Sequence, residues 1–255
     1  MYTTGGSLDF VRRHLAMVNE LERIRRELGL ASMDILDFGG GHSPLSTFLR
    51  LYGLATNYRL AVADIAADAI DAARLEPPLV SKHLLAQDGS LPFADRSFDV
   101  AVSSDVFEHI PPSHRQPWAS ELHRVVRHAQ VHNVPCDGDE FASSSADAAY
   151  QAWHLKHFGT PEPWTAEHLE NGVPALAELS GMFPGYEIQG IANADRWLTI
   201  MKDEGTNPSA FARLRRGLSY AHSGWRHDRT PPFKAAFVSG MSKRAIDDHG
   251  RERAG

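Results

Sequence analysis

Apolar residues near the start of the chain recur at Leu8, Phe10/Val11, Leu15, Val18, Leu21 and Ile24/Leu28, with Glu and Arg between them. This three-and-four spacing puts them on one helix face, so a helix is predicted over residues 7–28, with Gly29 as its stop. The period then shortens. Asp34-Ile-Leu-Asp-Phe38 is a short apolar run that feeds Gly39-Gly-Gly-His-Ser-Pro-Leu-Ser46, and residues 44–52 read as a helix. Strand, glycine turn and helix are the opening of a doubly wound α/β fold. The alternation continues with strands predicted at 58–64, 79–86, 98–103, 129–134, 186–191 and 235–238, and helices at 66–75, 113–126 and 165–183. Thr165 is the expected N-cap of the last helix, and Gly185 lies just past its end. The pattern therefore predicts an α/β, Rossmann-like, doubly wound sheet of seven strands with helical lid insertions.

Two stretches, 136–164 and 194–233, exceed ordinary connections and are expected to carry helices on the substrate side. Residues 1–242 read as one domain, and 243–255, charged and small, as a disordered tail. Composition narrows the function classes. The chain has 255 residues, with 26 Lys+Arg against 32 Asp+Glu and a net charge of −6. An acidic balance argues against nucleic acid as a partner, since phosphate-backbone binding needs excess Lys and Arg. No apolar run approaches a membrane span, no signal-peptide core follows Met1, and a single Cys136 makes no internal disulfide. A reducing cytoplasm is the expected compartment. Fourteen histidines are the unusual count, eight of them between His109 and His168.

A glycine-rich turn from strand to helix lets a ligand approach the backbone and exposes helix N-terminal N–H groups. Asp37 precedes the glycines, where it repels a pyrophosphate and attracts a cationic ligand. Asp64 ends the next strand 27 positions on, with Ile65 beside it, where a carboxylate can accept both hydroxyls of a ribose. Asp88-Gly89 follows the third strand and suits the edge of an adenine ring.

Ile35-Leu-Asp-Phe-Gly-Gly-Gly-His-Ser43 resembles motif I of class I S-adenosylmethionine (SAM)-dependent methyltransferases, with serine at the third glycine. Asp88-Gly-Ser-Leu-Pro-Phe-Ala-Asp-Arg-Ser-Phe-Asp-Val-Ala-Val-Ser-Ser-Asp-Val-Phe-Glu-His-Ile-Pro111 is similar to the type 11 group of that class. The resemblance covers residues 33 to 135. It implies that SAM is the cofactor and that Gly39 and Gly41 pass its methionine part. It further implies that Asp64 holds the ribose, that Asp88 meets the adenine, and that Ser104-Asp105-Val106 floors the site. An NAD-dependent dehydrogenase is the rival reading of a glycine turn with a distal acid. Asp37 and the Gly89-to-Asp99 stretch speak against it.

An alcohol acceptor must lose its proton during methyl transfer, which calls for a general base. His109, His154 and His157 are the candidates, with His154 favoured; Glu108 and His109 also suit a purely structural role after strand four. Trp153, His154, His157 and Phe158 share helical faces that suit a ring-bearing substrate. Asp105, Asp137 and Asp139 are candidate oxygen ligands for Mg²⁺. The 164–184 and 193–198 phrases resemble methyltransferases of bacterial surface-polysaccharide and glycan pathways, the methylmannose-polysaccharide type among them, so a sugar or oligosaccharide acceptor is expected. Glu167 and His168 read as an ordinary first helical turn. Arginines and aromatics in 211–229 are a lid candidate. A natural-product methyltransferase and a non-catalytic SAM-binding protein are the alternative readings; the sequence leaves the oligomeric state open.

Overall fold

Parallel strands covered on both faces need near-continuous apolar runs, and the central strands have them. In the computed structural model, which describes residues 8–86, 88–207, 209 and 230–241, five such strands lie side by side. They are β1 (Met33–Phe38), β2 (Tyr58–Asp64), β3 (Leu79–Leu84), β4 (Phe98–Ser104) and β5 (Val126–Pro135), in the order β3-β2-β1-β4-β5 and all parallel. The strand Phe233–Met241 pairs antiparallel with β5, and Glu187–Asn193 pairs antiparallel with it in turn. All seven predicted strands are present. The sheet has nine strands because the first insertion adds a hairpin of Asp137–Gly138 (β6) and Phe141–Ala142 (β7), so the two late strands are β8 (187–193) and β9 (233–241). Two-residue strands show no alternation, which is why the apolar pattern does not announce them.

Side-chain alternation on these strands builds two cores. On β1, Met33 and Ile35 join one cluster, while Leu36 and Phe38 join the other. The first face is covered by α1 (Leu8–Glu27), α2 (Pro44–Leu51) and α3 (Ala67–Ala72), the second by α4 (Pro112–Val125) and α7 (Leu176–Met182). Helix α1 buries Met17, Val18, Leu21 and Ile24, as its spacing predicts, and stops at Gly29. Gly29 has φ +65°, and the Leu30 N–H reaches back to the Arg25 carbonyl at 3.1 Å, the left-handed closure that glycine favours. A third cluster joins α5 (Ser143–Phe158) to α8 (Ala194–Thr206) through Tyr150 and Trp197. Both long insertions therefore carry helices, over the carboxyl ends of the strands.

The helix expected over 165–183 is two helices, α6 (Pro163–Asn171) and α7. Gly172 at φ +74° and Pro174 interrupt it, since proline has no N–H for a continued ladder. Glu162, not Thr165, caps α6, its carboxylate accepting from the Thr165 N–H and hydroxyl at 2.8 Å each. The 211–229 lid candidate and the 243–255 tail lie outside the described residues.

Arg115 pins this break to the sheet. Its guanidinium is buried and donates to the carbonyls of Phe107 (3.0 Å), Ile110 (2.9 Å) and Gly172, with the Glu178 carboxylate at 3.2 Å. One side chain thus fixes the loop after β4 against the α6–α7 junction. Arg115→Met leaves those carbonyls without a donor, at about 1–3 kcal/mol for each buried unpaired group. The expected total loss is about 3–5 kcal/mol, read from chemical denaturation; an unchanged midpoint would contradict this role.

Candidate active site

The carboxyl ends of β1, β4 and β5 open onto a cavity of about 680 Å³, roofed by α1, α5, α6 and α8. One wall is the glycine turn. Gly39 has φ +67°, and a Cβ there would lie 2.4 Å from Val106. A Cβ on Gly40 would lie 2.4 Å from the Asp37 carboxyl carbon. Gly41, at φ +52°, has nothing nearer than 3.8 Å to a Cβ, so its backbone is approachable. Packing therefore explains the first two glycines, and the left-handed backbone explains the third.

Asp37 sits buried beneath this turn, where its described hydrogen bond comes from the Ser43 hydroxyl at 3.2 Å. Burial, opposed by that hydrogen bond and reinforced by Asp64, pushes its pKa up to about 7. Asp64 accepts the Gly41 N–H at 2.8 Å and the Ala66 N–H at 2.9 Å, bracing the turn. Asp105, at φ +53°, accepts from the Asn133 amide at 3.1 Å and is ion-paired to Arg13 of α1. Asp9 on α1 is half-buried; desolvation works to raise its pKa, but Arg13 and Arg12 overcome this and hold it below the usual value.

A second polar group gathers around His109 and His168, which also line the cavity. Glu108 is fully buried, and neither carboxylate oxygen has a hydrogen-bond partner. Burial raises its pKa to about 8. His109 Nδ1 lies 2.9 Å from Glu167 Oε2, and His168 Nδ1 lies 3.1 Å from Asp147 Oδ2. The two imidazoles meet with their Nε2 atoms 3.2 Å apart. Burial, and then His168, push the pKa of His109 down, against the pull of Glu167. Asp147 is also held by Lys234 of β9 at 3.1 Å, and Lys234 in turn donates to Ser143 at 2.7 Å and lies 4.7 Å from the Trp197 ring.

Of the residues expected from sequence, Asp37, Gly39, Ser104, Asp105 and His109 line the cavity. Gly41, Asp64, Ile65, Asp88 and Gly89 lie outside that lining. Ile65 is exposed, and Asp88 is turned onto Ser90, accepting its N–H at 3.0 Å and its hydroxyl at 2.7 Å. His154 and His157 are not among the residues lining this cavity; their Nδ1 atoms lie 2.8 Å from the carbonyls of Thr160 and Trp153. Of the three aspartates expected around Mg²⁺, Asp105 lines the cavity and Asp137 and Asp139 do not. Asp105 is tied to Arg13 and Asn133, Asp137 accepts the Ser144 N–H at 2.9 Å, and Asp139 is an exposed hairpin residue at φ +35°. Among the described residues, the metal-ligating atoms that converge are those of Glu108, His109 and His168.

Sequence reasoning passed over His168, Glu167, Asp147 and Lys234. His168 lies 59 positions from His109, and no spacing rule links residues that only the tertiary fold brings together. Arg12 and Arg13 of α1 also line the cavity.

Residues 36–134, which span the central strands, match the family model described as a methyltransferase domain. The chain is 33% identical over 115 residues to an uncharacterized methyltransferase of Mycolicibacterium vanbaalenii, across 44% of this chain. The match spans 42% of that relative's length. Among solved structures, the MccD protein aligns at TM-score 0.50 and 15% identity, over 88% of this chain and 96% of that one. A complex of the Haloferax volcanii Trm112 methyltransferase activator with a methyltransferase gives TM-score 0.50 and 15% identity, over 90% of this chain and 93% of that one. At such identities the likeness is one of fold. The sheet order and the helices on both faces agree with it.

The buried acid beneath the turn sets a pH dependence. Asp37 keeps its proton in the folded chain up to about pH 7, whereas its ordinary value is 3.8. Between these values the folded state binds the extra proton, so Asp37 makes stability fall as pH rises through that window. Asp37→Asn removes this contribution. Denaturation midpoints measured across the window should fall less steeply in the variant, and parallel profiles would contradict the assignment.

Proposed function

We propose that the chain is a SAM-dependent O-methyltransferase whose acceptor is a hydroxyl of a sugar or oligosaccharide. The observation that carries this reading is that a motif I turn and the two histidines of a histidine–carboxylate cluster line one cavity. The donor side fits a cationic cofactor. Asp37 is a buried carboxyl with no cation paired to it among the described residues, and Gly41 offers open backbone. In this reading Gly39, Gly41 and Asp37 meet the methionine part of SAM, Asp64 and Ile65 the ribose side, and Asp88-Gly89 the adenine. Ser104 and Asp105 floor the site. Bound SAM supplies a methyl group on a sulfonium, already activated towards a nucleophile.

The remaining work falls to side chains of this chain. His109 is the sequence-derived base candidate that lines the cavity. Glu167 orients the ring from the Nδ1 side, as a carboxylate does for a catalytic imidazole. Trp164 stands edge-on to His109 at 5.4 Å, and Tyr150 and Trp197 line the same wall. Aromatic walls beside polar groups suit a pyranose, whose C–H face packs on rings while its hydroxyls find donors and acceptors. The α5 and α8 insertions supply this wall, which supports assigning acceptor choice to them. The single-domain reading of 1–242 and a cytoplasmic location belong to the same proposal. Among the described residues no helix is long and apolar enough to cross a membrane.

Transfer of labelled methyl from SAM to a panel of oligosaccharides, natural-product phenols and amines tests the reading. Labelled methyl ether on a saccharide is the expected product. Transfer confined to phenols or amines overturns the sugar assignment, and no transfer to any acceptor, despite bound SAM, favours a non-catalytic SAM-binding protein. His109→Ala should lower kcat by about 10²–10⁴-fold with SAM affinity retained, the range for loss of a general base. His154→Ala should leave kcat at the parent value. A large loss on His154→Ala with none on His109→Ala would reverse the two roles.

A further inference from the structure

We propose that Glu108, His109 and His168 form a binding site for one divalent transition-metal ion of the zinc class, with its open coordination facing the cavity. Metal binding itself stands apart from the methyl-transfer reading; the ion's role in the reaction rests on it.

A carboxylate accepts hydrogen bonds and does not donate them. Glu167 at 2.9 Å from His109 Nδ1 and Asp147 at 3.1 Å from His168 Nδ1 therefore place the ring protons on both Nδ1 atoms. With no second proton on either ring, the two Nε2 lone pairs face each other across 3.2 Å and repel. A cation between them turns the repulsion into two bonds.

The geometry has the right scale. Zinc binds imidazole nitrogen at about 2.0–2.1 Å in tetrahedral geometry, which puts two ligand nitrogens about 3.4 Å apart. The Nε2 atoms are 3.2 Å apart, and Glu108 Oε1 lies 3.8 Å from His168 Nε2. One ligand atom from each of the three residues fits within 4.8 Å of the others. Glu108 is the independent observation: its side chain is 0% exposed, and both oxygens lack a hydrogen-bond partner. A buried carboxylate so placed costs free energy unless a cation or donor meets it. The outer shell is complete as well, since metal-bound histidines ordinarily give their other N–H to a carboxylate. His168 has Asp147, itself held by Lys234, and His109 has Glu167.

Two imidazoles and a carboxylate favour zinc, cobalt, nickel or iron over magnesium, which prefers oxygen donors. His109 and His168 both line the cavity, so a further ligand comes from that side. An acceptor hydroxyl bound there loses its proton to water more readily, because the ion stabilises the oxyanion. In the loaded site His109 is a ligand; in the empty site it is the base.

The test uses the full chain without an affinity tag, stripped with EDTA, in the absence of SAM and acceptor. Titration with Co²⁺ should give visible d–d bands that saturate at one equivalent, and Zn²⁺ should displace them while Mg²⁺ does not. His168→Gln should abolish the bands, with circular dichroism confirming the fold. Glu167→Gln, which disturbs only an orienting group, should weaken Co²⁺ affinity by about 10–100-fold. His114→Ala, at an exposed histidine, should change nothing. No saturable one-to-one binding, or bands that survive His168→Gln, overturns the proposal. A chain that transfers methyl without binding metal sinks this inference alone; one that binds metal without transferring methyl sinks only the proposed reaction.

Discussion

Asp147 carries the constraint on which the site's architecture depends. A carboxylate with no exposure must be paired, and breaking such a pair leaves a charge in low dielectric. Asp147 on α5 is met by Lys234 from β9 and by His168 from α6, and His168 meets His109 after β4. One buried polar chain thus ties two lid helices to two strands of the sheet. The apolar contacts between α5 and α8 add area to this docking, but they do not choose the orientation. Directional hydrogen bonds do.

The donor side obeys a different logic. At the glycine turn the side chains are missing because Val106 and the Asp37 carboxyl occupy the space, and Gly41 needs a left-handed backbone. Burial leaves Asp37 short of a positive partner. Asp37 presents a buried acid to the cavity, while Glu108 lies buried behind the lining residues His109 and His168. Arg12 and Arg13 of α1 lie along the cavity, with Arg13 paired to Asp9 and Asp105.

How much of this is legible in the sequence follows from the range of each signal. The seven main strands show because apolar runs of five to ten residues separated by turn residues are local facts. The glycine turn and Asp64 show because they sit at the ends of such runs. The β6–β7 hairpin is too short to have a period, and the split of 165–183 turns on Gly172 and Pro174 outweighing the helical spacing around them. The acceptor side is hidden for a stronger reason. His109, Asp147, His168 and Lys234 come from four elements, and their meeting is a property of the folded sheet. His154 and His157 look suitable along the chain, yet their Nδ1 atoms are engaged by the Thr160 and Trp153 carbonyls and neither residue lines the cavity.

The central claim is that one cavity binds SAM at the turn between β1 and α2. Calorimetric titration of SAM into the full chain tests it most directly, alongside Gly40→Val, whose side chain collides with the Asp37 carboxyl. The account predicts one-to-one binding to the parent chain and none to the variant, with circular dichroism unchanged. A parent chain that binds no SAM, or a folded variant that binds it as tightly, would contradict it.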